Sequence, residues 1–270
     1  MTTLRGRDVR RPWGRIRVRE AGSGTTLLAV HGLGGSGRYF QGVANALTER
    51  FRIVAPDLAG FGGSDKPEGA TYDRAFHLAN LDAALEGDDG PVAVLGHSIG
   101  GVFAALWAAA NAERVPALAL ASTPYPMGDG AHGWMRQGRS PSRHVVRARV
   151  MRALVPALSL PIGIARGYPP AVAFDYGRQK LLSRARTMWW GLHDPDVTEE
   201  LERVRSALAE TPVLLMQASD DRTVNLGALS RWAELLPHAQ QRIVETGGHQ
   251  FLLRTGVPGL AAWLEARLPG

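Results

Sequence analysis

Pro91-Val92-Ala93-Val94-Leu95-Gly96-His97-Ser98-Ile99-Gly100-Gly101-Val102-Phe103-Ala104-Ala105-Leu106-Trp107 joins a short apolar run to a longer Ala-rich one through a glycine-flanked serine. Its first five residues have the length and β-branched content of a buried strand. From Gly101 to Ala110 the chain is Ala/Leu-rich and long enough for a helix. Between the two, Gly96-His97-Ser98-Ile99-Gly100 makes a sharp strand-to-helix turn with a serine at its apex. A glycine on each side lets the turn tighten without Cβ clashes and pushes the hydroxyl into an exposed, strained position. The backbone N–H of Ile99 then sits at a helix N-terminus, where it can stabilise an oxyanion.

Upstream, Ile16 and Val18 alternate with Arg17 and Arg19, the period of a half-exposed strand. Thr26–Val30 is a continuous apolar strand, and His31–Gly37 is a flexible loop. A helical stretch over 39–47 leads to a second buried strand, 51–55, which ends at Pro56-Asp57. A glycine-rich loop over 58–67 and a helix over 72–85 precede the serine turn. Ala117–Ala121 is the next strand. Strand and helix alternating at these short spacings predict right-handed crossovers and a mostly parallel sheet.

The rhythm breaks at Ser122-Thr123-Pro124. From there to about Glu210 no buried strand is legible, and helical pieces are expected at 147–154 and 174–188. A segment this long is not a bare loop inside a compact domain. It reads as an inserted, largely helical cap over 123–210, leaving a core of 1–122 and 211–270. The α/β pattern resumes with a strand at 212–216, a helix at 226–236 and a strand at 241–244. A last helix opens at Pro258, with Leu260, Trp263, Leu264 and Leu268 on one face.

Composition narrows the chemistry. A chain of 270 residues with 45% hydrophobic content is long enough for one large α/β domain with a well-buried core, or for one domain plus an inserted segment. With no cysteine, disulfides, thiolate catalysis and Cys-based metal sites are excluded. The net charge is +6, but the basic residues are almost all arginines spread along the chain, with no aromatic-interleaved stripe. That pattern is a solvated surface rather than a nucleic-acid face. The arginine-rich N-terminus is not followed by an apolar stretch, and no run approaches a membrane span. A soluble, cytoplasmic protein is expected; the oligomeric state is not legible.

A serine nucleophile needs a base, and the base an orienting acid. In open α/β sheets these belong on loops after the strands. Asp220-Asp221 follows the strand ending at Met216, and His249 follows the strand ending at Val244 in Glu245-Thr246-Gly247-Gly248-His249. Both fall at the same sheet edge as Ser98, with either aspartate open as the acid.

With these residues assembled, the chain resembles the α/β-hydrolase family over essentially its whole length. The resemblance rests on the serine turn, on His31-Gly32 after an early strand and on Asp57-Leu58-Ala59-Gly60-Phe61-Gly62-Gly63-Ser64. It rests also on Pro212-Val213-Leu214-Leu215 before an acidic loop, on Gly-Gly-His near the end and on the cap insertion. The resemblance implies Ser98 as nucleophile, His249 as base and Asp221, rather than Asp220, as acid. It also implies an oxyanion hole from the N–H groups of Leu33 and Ile99. The acidic loop carries Ala218 where the family often has glycine. The implied activity is a serine hydrolase acting on a carboxylic ester, thioester or lactone, with no metal or cofactor. The same triad also serves acyl transfer or cyclisation, C–C hydrolysis, lyase and cofactor-free haloperoxidase reactions, and the fold serves small-molecule receptors. A serine at 98, not an aspartate, points to acyl chemistry.

Other residues have quieter readings. His97 is expected to point away from Ser98 into packing, His31 to shape its loop by hydrogen bonds, and Asp57 to tie down its own loop. Histidines 77, 132, 144, 193 and 238 lack metal-ligand spacing. Trp134, Met135, Met188, Trp189 and Trp190 line an apolar substrate pocket or form the cap's own core. Gly32-Leu33-Gly34-Gly35-Ser36-Gly37 matches a dinucleotide fingerprint, with Asp57 roughly twenty residues on. That reading leaves the serine turn, Asp221 and Gly-Gly-His without a purpose.

Overall fold

A computed structural model of the chain describes residues 2–126, 161, 163–164, 168–194, 196–253 and 255–268. Among them the strands are β1 (Arg5–Arg11), β2 (Gly14–Ala21), β3 (Thr25–Val30), β4 (Phe51–Pro56), β5 (Val92–His97), β6 (Leu118–Ala121), β7 (Val213–Ala218) and β8 (Gln240–Val244). They form an eight-stranded sheet in the order β1-β2-β4-β3-β5-β6-β7-β8. β1 and β2 make an antiparallel hairpin, β2 runs antiparallel to β4, and from β4 to β8 every pairing is parallel. The α/β-hydrolase architecture expected above is the one observed.

The strands alternate strictly between two apolar layers. Leu28, Val30, Val92, Val94, Leu118, Leu120, Val213 and Leu215 face α2 (Arg74–Ala84) and α3 (Ile99–Ala110). Leu27, Ala29, Ala93, Leu95, Ala119, Leu214 and Met216 face the opposite layer. There they meet Phe40, α1 (Gln41–Leu47) and the last helix. A period of two with both faces covered is what a parallel sheet requires, because its crossover helices coat both sides.

β1 was not legible in the sequence. Arg5-Gly6-Arg7-Asp8-Val9-Arg10-Arg11 carries one residue for the core, Val9, opposite Ile16 of β2. The rest is an exposed, charged edge, which also deters pairing with other chains.

Within the inserted segment, α4 (Pro170–Gly177) and α5 (Leu181–Leu192) replace the single helix expected over 174–188. α4 stops at a glycine, a poor helix former, and the chain turns through Arg178-Gln179-Lys180 before helix resumes. The piece expected at 147–154 lies outside the described residues. α6 (Val197–Ala207) falls inside the stretch read as cap, yet Val197, Leu201 and Val204 are buried in the α3 layer of the sheet. α6 therefore packs as the crossover helix between β6 and β7. The chain closes with α7 (Leu226–Leu235) and α8 (Val257–Arg267).

α5 is tied to the core from α2. Arg74 donates to the carbonyl of Trp190 at 2.5 Å and pairs with Asp194 at 2.8 Å, and His77 Nε2 lies 2.9 Å from Thr187 Oγ1. Among the described residues, no helix is long and apolar enough to cross a membrane.

Candidate active site

The turn between β5 and α3 is one residue long, and that residue is Ser98. Its backbone sits at φ 57°, ψ −135°, a region that L-residues avoid at a cost of roughly 1–3 kcal/mol. The surroundings hold it there: Ser98 N–H donates to the Ala121 carbonyl at 2.9 Å, and Gly101 N–H donates to the Ser98 carbonyl at 2.8 Å. The flanking glycines are required by contact. A Cβ on Gly96 would lie 2.4 Å from the Cα of Gly101, and one on Gly100 would lie 2.3 Å from the carbonyl oxygen of His31. Helix and strand approach too closely for any side chain at either position.

Asp221 and His249 reach Ser98 from the loops after β7 and β8. Ser98 Oγ lies 3.0 Å from His249 Nε2, and His249 Nδ1 lies 2.9 Å from Asp221 Oδ2. The other Asp221 oxygen accepts the backbone N–H groups of Thr223 at 2.8 Å and Val224 at 3.0 Å. The carboxylate is fully buried. Burial pushes its pKa up, but the His249 hydrogen bond and charge and those two N–H groups outweigh it and hold the pKa below the usual value. An ionised Asp221 requires the proton on His249 Nδ1, which leaves Nε2 free to accept from the serine.

Asp220 turns elsewhere. Its side chain accepts the N–H of Gly248 at 2.7 Å and of Gly247 at 3.4 Å, so adjacent aspartates hold the ring and the backbone of one loop. Gly247 and Gly248 both have positive φ, 128° and 57°, conformations that suit glycine.

Gly32 passes against the serine turn: a Cβ there would lie 2.8 Å from Ser98 Cβ. Its carbonyl accepts from His31 Nδ1 at 2.8 Å and from Gly35 N–H at 3.0 Å. Because a trans peptide points its C=O and N–H in opposite directions, pinning that oxygen directs the Leu33 N–H the other way. Ile99 N–H stands at the first turn of α3. Both N–H groups thus belong to the two segments that touch Ser98.

Of the apolar cap residues singled out in the sequence, Trp134 and Met135 lie outside the described residues. Met188 is half-buried against the α3 layer, and Trp190 is half-buried with its carbonyl held by Arg74. Trp189 is 55% exposed, on the face of α5 opposite buried Thr187, with its ring 6.0 Å from His193.

The sequence reading missed Gly191. A Cβ there would come within 2.8 Å of Ile99 Cδ1, so it is the point where α5 meets the residue after the serine. The available signal was a glycine inside a helical pattern, which usually marks close packing. Tyr168 and Asp175 also bring the insertion to the site loops. Tyr168 accepts from Gln250 Nε2 through its hydroxyl at 2.7 Å, and Asp175 accepts from Ser36 Oγ at 2.7 Å. Among the described residues no cluster of His, Asp or Glu is arranged to hold a metal ion.

The family model described as the alpha/beta hydrolase fold matches residues 25–254. The RutD protein of Cronobacter turicensis, which is named a carbamate hydrolase, is 28% identical over 242 residues, covering 83% of each chain. The 2-(acetamidomethylene)succinate hydrolase of Mesorhizobium japonicum is 27% identical over 250 residues, covering 87% of this chain and 84% of its own. Among solved structures, an esterase from Exiguobacterium antarcticum superposes with a TM-score of 0.77 at 19% identity. That superposition covers 97% of this chain and all of the esterase. The match to the family spans most of the chain, from β3 to the loop after His249, and the chain belongs to the alpha/beta hydrolase family.

Proposed function

We propose that the protein is a serine hydrolase that cleaves a carboxylic ester, thioester or lactone through an acyl-enzyme on Ser98. The observation that carries this reading is the continuous hydrogen-bond chain from Ser98 Oγ through His249 to Asp221. His249 Nε2 takes the serine proton as Oγ attacks the carbonyl carbon. Negative charge gathers on the carbonyl oxygen, and the N–H groups of Leu33 and Ile99 receive it. His249 then gives its proton to the leaving group, which departs and leaves the acyl group on Ser98. Water attacks the acyl carbon while His249 takes a proton from it, and collapse of the second intermediate returns that proton to Ser98. Asp221 stays ionised, fixes the tautomer and stabilises the imidazolium.

A medium-sized, mostly apolar ester fits the half-buried Met188 and Trp190 on α5 better than a very small or highly charged substrate does. A carbamate is the second reading, favoured by the name of the RutD relative that aligns over most of its length. The triad would attack that carbonyl in the same way.

The test is turnover of a simple activated ester. Ser98→Ala should lower kcat by ~10³-fold or more with the fold intact, and near wild-type turnover in the variant overturns the proposal. An ester and a carbamate with the same acyl group, compared by kcat/KM, separate the two substrate readings.

A further inference from the structure

His97 stands directly before Ser98 in the chain, but its side chain turns inward beneath the loop that carries His249. It is 3% exposed, and its Nε2 lies 2.8 Å from the backbone carbonyl oxygen of His249. A carbonyl only accepts, so Nε2 must carry the proton and donate it. The ring is clamped in place. It stacks on Tyr39 with centroids 4.5 Å apart and an interplanar angle of 22°. On its Nδ1 side, a Cβ added to Gly32 would come within 3.2 Å. Burial and the neighbouring His249 push its pKa down to about 3, which keeps the ring neutral with one N–H to give.

The loop that receives this bond is tied before His249 at Glu245 and Thr246, whose carbonyls accept from Ser219 Oγ at 2.8 Å and Thr255 Oγ1 at 3.0 Å. It leaves β8, whose residues are exposed or half-exposed, and enters through two glycines with positive φ. Asp221 holds the His249 ring from one side, and Asp220 holds the N–H groups of the two glycines before it. Neither touches the backbone of His249 on its far side, and His97 does.

We propose that His97 is a positioning residue for acyl transfer: its Nε2–H grips the backbone carbonyl of His249 and so keeps His249 Nε2 within reach of Ser98 Oγ. The proposal rests on the reading of Ser98, His249 and Asp221 as the triad. It couples the nucleophile turn to the base loop through a single side chain, with His97 fixed by the same backbone turn that fixes Ser98. Displacing a catalytic group by about 1 Å can lower the rate by ~10²-fold, so a bond of this kind acts on kcat rather than on substrate binding.

The test compares His97→Phe, which keeps an aromatic ring against Tyr39 but has no donor, with His97→Gln, which restores an N–H at similar reach. Urea denaturation first checks that each is folded. The expected result for His97→Phe is a ~10–100-fold fall in kcat with KM within about twofold, and an equal fall in the rate at which a fluorophosphonate labels Ser98. His97→Gln should recover most of both. Should His97→Phe not fold, His97→Gln against His97→Met reads the same difference between donor and no donor. The proposal is overturned if the donor-free variant keeps kcat within about twofold, if the loss sits in KM, or if a folded His97→Gln loses as much as the donor-free variant. Ser98→Ala, run alongside, separates the triad from the role of His97. Activity that survives it overturns the triad reading and this proposal together. Activity lost in Ser98→Ala but unchanged in His97→Phe overturns this proposal alone.

Discussion

Leu58 donates its backbone N–H to Nε2 of His31 at 2.9 Å, while the same imidazole donates from Nδ1 to the carbonyl of Gly32. One neutral ring thereby joins the loop after β4 to the loop after β3, and the Gly32 peptide it pins is the one that aims the Leu33 N–H. Protonation would remove the acceptor and break the bond to Leu58. Burial opposes that and lowers the pKa of His31.

Acid should therefore destabilise the fold through its buried histidines. His77 and His97 are buried, with burial the main cause of pKa values near 3 against an unfolded value of 6.5. Below about pH 6.5 the unfolded chain binds protons that the native state refuses. Stability is complete above that value and falls as the pH drops toward 3, by up to ~1.4 kcal/mol per pH unit for each histidine. Urea midpoints at pH 7, 6 and 5 should fall in that order. His77→Gln, which removes one of the titrating rings, should flatten the slope; a slope as steep as wild type contradicts the assignment.

Asp57 is fully buried and takes a two-pronged bond from Arg19, at 3.0 Å on each oxygen, plus the N–H groups of Gly37 and Gly63 at 2.7 Å. Asp57→Asn leaves the Arg19 guanidinium buried without its counter-charge, a change that typically costs ~3–5 kcal/mol. Chemical denaturation reads this directly. A loss under about 1 kcal/mol would mean that water reaches the pair after the substitution.

The neighbouring aspartates should separate cleanly in kinetics. Asp221→Asn should lower kcat by ~10²–10⁴-fold, because the His249 tautomer is no longer dictated. Asp220→Asn keeps an oxygen that accepts from Gly248 and should cost less than ~10-fold. A reversed order would mean that the carboxylate beside Nδ1 is not the orienting acid.

How much of this could be read in advance follows from range in sequence. The serine turn is announced locally, because a glycine before and after the serine has few other reasons to be there, although Ala121 and His31, distant in sequence, help to hold it. The crossovers were legible because β3 to β7 are buried on both faces and write continuous apolar runs. β1 was hidden because an edge strand with one core contact carries no such run. The pairing of His97 with the His249 carbonyl was beyond reach for another reason. It joins positions 152 apart, and a buried histidine shows in the sequence neither its tautomer nor its partner. The division of labour between Asp220 and Asp221 is of the same kind, since only the direction in which each side chain leaves the loop decides it. The break between α4 and α5 depended on a lone glycine whose weight cannot be judged without its packing.

The two faces of α5 should behave differently. Met188, half-buried against the α3 layer, lies one turn before Gly191, which abuts Ile99. Met188→Ala should shift the preference for acyl-chain length, the lost contact being worth ~1–3 kcal/mol in kcat/KM for the best ester. Trp189→Ala, on the exposed face, should leave the length profile flat. A flat profile for Met188→Ala together with a shifted one for Trp189→Ala would place the substrate on the other side of the helix.

Acyl transfer through Ser98 requires a covalent acyl group on its Oγ. The direct measurement is to mix the protein with a slowly deacylating activated ester, quench in acid, and locate the added mass by peptide mapping. One acyl group is expected, on the peptide containing Ser98, appearing as fast as the first turnover and absent in Ser98→Ala. An acyl group on another residue, or undiminished turnover in Ser98→Ala with no acyl group on the protein, would contradict acyl transfer through Ser98.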